Sequence, residues 1–423
     1  MSIHLDVTAR QVRASRPLID SIPAGPLVWL RRGQGLVGWG QAARAEFTGP
    51  ERFAQAEAWW REVVANCQVT GDGAVDADPP LCLGSFSFTD GSAAKSVLVV
   101  PQYLLVERPG RRYLISAEPT GATGPSAATV SEGEPDFGQP ALPVTGWIEK
   151  PGHHGPDQWL KVIDQALAAI SQGQVEKVVL ARDVRVGGDT PATASGVIQA
   201  LCGSYPDCWT YSIDGLIGAT PELLVRSVGG LVTSRVLAGT IRRTGQDQAD
   251  LARAGALARS SKDLDEHQYA VNSVIEGLRP FVEALSWPDA PSVLHLANVM
   301  HLATDVVGDL TGRGTNSQAW SVRLAGALHP TAAVCGTPQA AAAQLIEQLE
   351  GQDRGRYAGP VGWMDRLGQG EWGIALRCGQ FSPDQRSAQL WAGGGIVAAS
   401  LPAEELAETE AKLGAMRQAL GLD

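Results

Sequence analysis

The order of strand-like and helix-like segments is the feature that most restricts the fold of this chain. Three consecutive segments rich in apolar and β-branched residues follow one another with only short turns between them. They are Trp209–Ile213, Glu222–Arg226 and Leu231–Val236. A doubly wound parallel sheet requires strands and helices that alternate along the chain. Runs of strands followed by separate helices therefore favour an α+β protein over that alternative.

Three parts can be distinguished along the 423 residues. Residues 1–117 alternate β-like runs with one helical stretch, and they form an N-terminal α/β part. Residues 118–154 are a loop-rich connection, in which Pro, Gly, Ser, Thr and Ala dominate up to position 143. Residues 155–420 contain helices predicted at Ser260–Leu285 and Pro402–Leu420 and a strand predicted at Trp372–Cys378. A chain of this length folds as two or three domains or as one large unit.

Charge and cysteine content exclude several kinds of partner. The chain has 34 basic and 45 acidic side chains, a formal net charge of −11, so nucleic acid is not an expected partner. The six cysteines show no CxxC spacing and no cluster with histidine, which is typical of free thiols in a reducing compartment. The first residues lack the apolar segment of a signal peptide, and no apolar run approaches 18 residues. We expect a cytoplasmic protein that does not cross a membrane.

Two pairs of acidic residues lie at predicted helix starts. Asp263 and Glu266 begin one helix, and Glu405 and Glu408 begin another. A spacing of three residues places both carboxylates of a pair on one face of a helical turn. Interaction with the helix dipole explains either pair taken alone. Two facing pairs would instead hold a hard divalent cation such as Mg²⁺, and the spacing does not decide whether the pairs meet.

Three further charged residues lie beside apolar strand segments. Lys177 is within VEKVVLAR, Glu222 precedes LLV, and Arg377 follows IAL. A lysine in a dry environment can act as a base, a buried carboxyl can donate a proton, and an arginine can bind a ligand carboxylate. The alternatives are an edge lysine that protects a strand, a structural carboxyl and an ordinary ion pair. The glycines at 239 and 393–395 can bring backbone N–H groups close to an anion.

Eight segments in one order give a resemblance to a known family. They are VEKVVLAR (175–182), GATPELLVR (218–226), LAGT (237–240), SKDLDEH (261–267), HPTAAVCGTP (329–338), YAGPVGW (357–363), WGIALRC (372–378) and GGGIVAASLPAEELAETEAK (393–412). The chain resembles the chorismate-utilising enzymes, which include the anthranilate, aminodeoxychorismate, salicylate and isochorismate synthases. The resemblance covers residues 155–420 strongly and the N-terminal part more loosely. It implies one large α+β unit of stacked antiparallel sheets flanked by helices, with chorismate and Mg²⁺ in a central cleft.

The resemblance also implies roles for individual residues. Glu266 and Glu408 match direct ligands of Mg²⁺, and Asp263 and Glu405 match acids beside them. Asp263 is shorter than the Glu that the family often has there. The substrate-binding positions include a pair for the enolpyruvyl carboxylate, main-chain contacts near the ring carboxylate, a residue beside the ring and a lysine near the metal helix. In this sequence the pair is Tyr357 and Arg377, the main-chain contacts are at Gly239 and Thr240, His301 is beside the ring, and Lys412 is near the metal helix. Gly394 is a further substrate-binding position.

A few positions separate the members of the family. Lys177 stands where anthranilate-type enzymes tend to have Gln and use ammonia, and lysine suits the activation of water. Ala238 replaces the lysine of aminodeoxychorismate synthases. Salicylate synthases share Lys177, but they tend to have Phe at the position of His329 and Thr at the position of Ala333. The resemblance therefore implies an isochorismate synthase, with a salicylate synthase as the alternative. We expect no glutamine amidotransferase subunit, and we expect the enzyme to be a monomer.

The chemistry of the implied reaction requires two groups of opposite function. Conversion of chorismate to isochorismate adds water at C2 and expels the C4 hydroxyl. A base must take a proton from water, and an acid must protonate the leaving hydroxyl. We assign Lys177 as the base and Glu222 as the acid. These roles need a neutral lysine and a protonated carboxyl, and a dry cleft favours both states. The product would enter menaquinone, siderophore or salicylate biosynthesis.

Overall fold

The computed structural model of the chain describes residues 3–73, 77–120, 144–296, 299–310 and 319–422. Most of the predicted loop-rich connection, residues 121–143, lies outside the described residues. The helices in the described ranges are α1 (Arg52–Ala65), α2 (Pro156–Ser171), α3 (Ala194–Ser204), α4 (Asp247–Leu257), α5 (Ser261–Leu278), α6 (Trp320–Leu328), α7 (Gln339–Glu350) and α8 (Pro402–Ala419). None of these helices is long and apolar enough to cross a membrane.

Two large sheets contain the described strands. Sheet A consists of β1 (Leu5–Val12), β2 (Leu27–Arg31), β3 (Gln34–Trp39), β5 (Cys67–Thr70), β8 (Tyr103–Arg108), β9 (Arg111–Pro119), β10 (Ile148–Pro151), β11 (Lys177–Gly187), β12 (Trp209–Ile213), β13 (Leu216–Thr220), β19 (Gly336–Thr337), β22 (Cys378–Phe381) and β23 (Ser387–Ile396). Sheet B consists of β4 (Ala43–Phe47), β6 (Leu81–Ser85), β7 (Ser96–Val100), β14 (Leu223–Val228), β15 (Leu231–Arg242), β16 (Ala284–Ser286), β17 (Ser292–His295), β18 (Val299–Asp309), β20 (Pro360–Asp365) and β21 (Gly370–Ile374).

Strands from the two ends of the chain are interleaved in both sheets. In sheet A, β2 pairs with β12, and in sheet B, β6 pairs with β20. Among the described strands all pairings are antiparallel except that of β1 with β5. One hydrophobic core contains Trp29 from sheet A, Trp372 from sheet B, Trp60 from α1 and Trp159 from α2. The sheets therefore pack on a common core with helices beside them, as the predicted α+β fold requires.

Two predicted elements differ from those observed. The helix predicted at Ser260–Leu285 ends at Leu278 and is followed by β16, because Pro280 has no N–H with which to continue the helical ladder. The strand predicted at Trp372–Cys378 is two strands, β21 and β22. The chain leaves the strand path between them, where Arg377 has a φ of 49°. This break places Arg377 against the cavity described below.

Two helices are packed so that their first turns approach the same place. Helix α5 packs on β15 of sheet B, and α8 packs on β23 of sheet A. Ser260 accepts a hydrogen bond from the N–H of Asp263 and begins α5, while Pro402 occupies the first turn of α8. The acidic pairs of both helices therefore lie where the two sheets meet.

Candidate active site

A cavity lies between β11 and β23 of sheet A and β15 and β18 of sheet B. Several predicted site residues line it: Glu222, Gly239, Thr240, Glu266, His301, Tyr357, Arg377, Gly394 and Lys412. The other four predicted residues contact or adjoin this wall. Lys177 contacts Glu266, Asp263 accepts a hydrogen bond from the backbone of Thr240, Glu408 pairs with Lys412, and Glu405 lies beside Gly394. The structure thus brings all thirteen predicted residues together.

Lys177 is fully buried on an interior strand. Strand β11 pairs with β23 along one edge and with β10 and β19 along the other, so the alternative of an edge lysine is wrong. Nζ lies 3.4 Å from Oε1 of Glu266 and has no hydrogen-bond partner among the described residues. A buried ammonium or amine without a bond is costly, so this nitrogen is suited to a ligand that enters the cavity.

Glu222 is held in its protonated form near neutral pH. Its side chain is buried, and burial raises the pKa of the carboxyl to about 8, while the charges of Lys177 and Lys412 oppose this rise. Its backbone N–H donates to Oγ1 of Thr220 at 3.2 Å, which fixes the residue at the end of β13. A buried carboxyl that keeps its proton near pH 7 can serve as a general acid.

The two predicted acid pairs converge from different helices. Nζ of Lys262 on α5 lies 3.0 Å from Oε1 of Glu405 on α8, and this ion pair joins the two first turns. Nζ of Lys412 lies 2.6 Å from Oε1 of Glu408. Burial, and then the charge of Glu408, raise the pKa of Glu405. The pKa of Asp263 is also raised, by burial first and to a smaller extent by Glu408. Like charges therefore crowd this corner of the cavity.

Strand β23 approaches these acids at positions that lack a side chain. A Cβ atom on Gly395 would lie 2.1 Å from Oε1 of Glu266, and one on Gly394 would lie 3.0 Å from Oε2 of Glu405. As they stand, no three His, Cys, Asp or Glu side chains of the described residues are close enough to hold a metal ion together. Lysines neutralise three of the acids instead. The mutual repulsion of the carboxylates and the glycine-lined approach fit a site for a hard cation.

A hydrogen-bonded chain of three residues also lines the cavity. Nη2 of Arg377 donates to Nε2 of His301 at 3.3 Å, so the Nδ1–H of that histidine faces Oγ1 of Thr240 at 3.1 Å. Burial, and then the charge of Arg377, hold the pKa of His301 well below its usual range. Gly239, with a φ of 74°, forms the irregularity in β15 that turns Thr240 toward this chain. A neutral histidine here orients the arginine without adding charge.

Some cavity residues were not predicted from the sequence. One of them is Trp391 of β23, which stacks on the predicted residue Tyr357 with ring centroids 5.5 Å apart and an interplanar angle of 12°. Arg354 lines the cavity and pairs with Glu350, which is buried at the end of α7. A tryptophan in a strand and an acid four residues before an arginine at a helix end are also common in structural positions. No sequence pattern therefore singled out Trp391, Glu350 or Arg354.

Comparison with known proteins places the chain in a family. The family profile described as chorismate binding enzyme matches residues 28–421. The chain belongs to this family of chorismate-binding enzymes. The resemblance found in the eight sequence segments is thereby confirmed, as is the prediction that the chain is an enzyme.

Individual relatives agree with this membership. The salicylate biosynthesis isochorismate synthase of Pseudomonas aeruginosa is 35% identical over 422 residues, which cover 94% of this chain and 86% of that protein. The isochorismate synthase DhbC of Bacillus subtilis is 37% identical over 279 residues, 63% of this chain and 69% of that protein. The structure of MenF, the menaquinone-specific isochorismate synthase from Escherichia coli, aligns with a TM-score of 0.78 at 23% identity, over 99% of this chain and 95% of that one. This last likeness confirms the predicted fold.

Proposed function

We propose that this enzyme is an Mg²⁺-dependent isochorismate synthase, an isomerase that converts chorismate to isochorismate. The observation that supports this most directly is the presence of two buried ionisable groups at one cavity, Glu222 in its lining and Lys177 adjoining it. Lys177 lacks a hydrogen bond within the described structure. Burial raises the pKa of Glu222 to about 8, so this carboxyl keeps its proton near pH 7. Water addition and loss of hydroxide need a base and an acid in one site. The names of two relatives, 37% and 35% identical to this chain, support the same reaction.

The two groups divide the proton transfers between them. Lys177, once neutral, accepts a proton from the water that attacks C2 of the substrate. Glu222 donates its proton to the hydroxyl that leaves C4. Each transfer of this kind contributes on the order of 10²–10⁴-fold to the rate. Because both side chains are buried, bulk water does not compete for either proton.

Other cavity residues orient the substrate. Arg377 is buried with its guanidinium toward His301, and Tyr357, which also lines the cavity, lies against Trp391. An arginine and a tyrosine hydroxyl together bind a carboxylate in a fixed direction. We assign them to the enolpyruvyl carboxylate. Thr240, Gly239 and Lys412 then face the ring carboxylate.

Two of the four acids would hold the cation directly. Glu266 and Glu408 are the proposed ligands of Mg²⁺, and Asp263 and Glu405 lie beside them. The ion supplies positive charge that offsets the charge of a dianionic substrate. Nζ of Lys177 is 3.4 Å from Glu266, and Nζ of Lys412 is 2.6 Å from Glu408, so both carboxylates have a cationic neighbour before the ion binds.

The decisive experiment is an assay of the products formed from chorismate with and without Mg²⁺. We expect isochorismate only with Mg²⁺, in a stable mixture with chorismate, no pyruvate, and no effect of added ammonia or of an amidotransferase subunit. Salicylate with an equal amount of pyruvate would instead indicate a salicylate synthase. An aminated product that needs ammonia would contradict the role of Lys177. The enzyme should elute as a monomer in size-exclusion chromatography.

A further inference from the structure

In the described part of the chain, strand β11 has no neighbouring strand along a short stretch of one edge. On that edge β19 pairs with residues 177–178, and β10 pairs with residues 184–187. The opposite edge pairs with β23 continuously from Val178 to Gly187. Buried backbone N–H and C=O groups need hydrogen-bond partners. The stretch between β19 and β10 must therefore find them outside the sheet.

Two side chains supply partners for this stretch. The carbonyl of Val179 accepts a hydrogen bond from Nη2 of Arg354 at 2.7 Å. The N–H of Ala181 donates to Oε1 of Glu350 at 2.7 Å. The N–H of Val179 donates to the carbonyl of Cys335, also at 2.7 Å. Arg354 and Glu350, termed here the β11 clamp, thus occupy the place of a missing strand.

Further bonds and burial hold the β11 clamp in place. Nε of Arg354 donates to Oε2 of Glu350 at 2.9 Å, and Nη1 donates to the carbonyl of Val334 at 3.0 Å. The guanidinium lies 4.3 Å from the ring centroid of Phe88. The side chains of Arg354 and Glu350 are 2% and 0% exposed. A fully buried pair with this many bonds does not exchange them for water without a large loss of stability.

The clamp borders the cavity and holds the same strand that carries the proposed base. Val179, Ala181, Val334 and Arg354 all line the cavity. Side chains alternate along a strand, so residues 177, 179 and 181 share one face of β11. The amine of Lys177 has no hydrogen bond of its own within the described ranges. Its direction therefore depends on how firmly the backbone of β11 is held.

We propose that Arg354 is a positioning residue for Lys177, and that it acts through the carbonyl of Val179 and the carboxylate of Glu350. This inference rests on the proposed function of Lys177 as the base. Arg354 touches no reacting atom in this scheme, so its loss lowers kcat and leaves KM nearly unchanged. A misplacement of about 1 Å in a catalytic group lowers the rate by on the order of 10²-fold.

Arg354→Lys tests this directly, because lysine keeps the charge but cannot bond Val179, Val334 and Glu350 together. We expect kcat for isochorismate formation to fall by roughly 10- to 100-fold, with KM within about threefold of the wild-type value. Glu350→Gln keeps the side-chain shape and the acceptor for Ala181, so it should lose less activity. Amide hydrogen exchange of residues 179–183 should accelerate strongly in Arg354→Lys and to a smaller extent in Glu350→Gln.

Arg112→Lys is the matched control. Arg112 is also a buried arginine, 3% exposed, that pairs with a glutamate, Glu107, and donates to a backbone carbonyl, that of Arg16. It lies on β9, away from the cavity. This variant should lose stability comparably and keep its kcat.

The possible results separate the inference from the proposed function. A wild-type enzyme that makes no isochorismate overturns the proposed function, and the role of Arg354 falls with it. If the wild type is active, a normal kcat in Arg354→Lys overturns the positioning role alone. Equal losses in the Arg354 and Arg112 variants, or a raised KM with normal kcat, also overturn it. Should Arg354→Lys fail to fold, the kcat and exchange of Glu350→Gln decide, since an intermediate loss supports the role and none removes it.

Discussion

At the scale of single residues, the surroundings of Glu222 determine its chemistry. Burial raises the pKa of this carboxyl from 4.5 to about 8, against the opposing charges of Lys177 and Lys412. The donor form is present below that pKa and disappears as the pH rises through it. We therefore expect kcat/KM to fall on the alkaline side with an apparent pKa of about 8, measured as a pH–rate profile. If the alkaline fall of kcat/KM persisted in Glu222→Gln, the titrating group would be another residue.

Lys177 allows a second test at the same scale. Lys177→Ala removes the only amine proposed to accept a proton, so turnover should fall by at least about 10²-fold. Binding of chorismate in the presence of Mg²⁺ should survive, and titration calorimetry measures it. Lys161→Ala changes an exposed lysine on α2 and serves as the control. A Lys177→Ala enzyme with near-normal turnover would show that the base has been wrongly assigned.

At the scale of the elements, adjacent glycines of β23 provide a paired test. A Cβ on Gly395 would lie 2.1 Å from Oε1 of Glu266, whereas one on Gly394 would lie 3.0 Å from the flexible end of Glu405. Gly395→Ala should displace Glu266 and lower kcat/KM by on the order of 10²-fold. Gly394→Ala should stay within about threefold of the wild type, since a contact at 3.0 Å can relax. Steady-state kinetics of both variants test this. A larger loss of kcat/KM in Gly394→Ala than in Gly395→Ala would contradict it.

The first two turns of α5 and α8 carry the proposed ligands of Mg²⁺. Glu266→Gln or Glu408→Gln removes one charged ligand, so the Mg²⁺ concentration for half-maximal rate should rise by at least about tenfold. The rise in Tm that Mg²⁺ causes in the wild type should shrink as well, because ligand binding stabilises the folded state. Glu404→Gln, at an exposed position in the first turn of α8, is the control. An unchanged Mg²⁺ titration would remove the altered residue from the metal site.

The sequence predicted the residues of this site better than the limits of its elements. Lys177, Glu222 and Arg377 could be found because charged side chains are rare in apolar segments. Glu350 and Arg354 could not, since an acid and an arginine at a helix end are usually solvated, and only the tertiary structure shows them buried against β11. The break between β21 and β22 was also missed, because the positive φ of Arg377 has no signature in the residue types around it.

At the scale of the whole molecule, the interleaved sheets predict cooperative unfolding. The pairs β2–β12 and β6–β20 join residues before 120 to residues after 200 in both sheets. Removal of residues 1–143 would take away one neighbouring strand from each of β12 and β20 and would remove Trp29 and Trp60 from the common core, so residues 144–422 alone should not fold. We expect a single unfolding transition in calorimetry. In denaturant, fluorescence and circular dichroism should give the same midpoint. Two separate transitions, or a soluble folded fragment, would contradict this.

The β11 clamp has a further consequence for the behaviour of the protein in concentrated solution. A strand edge with unsatisfied peptide groups is a template on which a second molecule can add a strand. On β11 the stretch between β19 and β10 is closed by Glu350 and Arg354, which are charged and use their polar atoms on the peptide groups. Variants that release these side chains should therefore tend to aggregate through strand addition, and the tendency should begin at the strand that carries the proposed base.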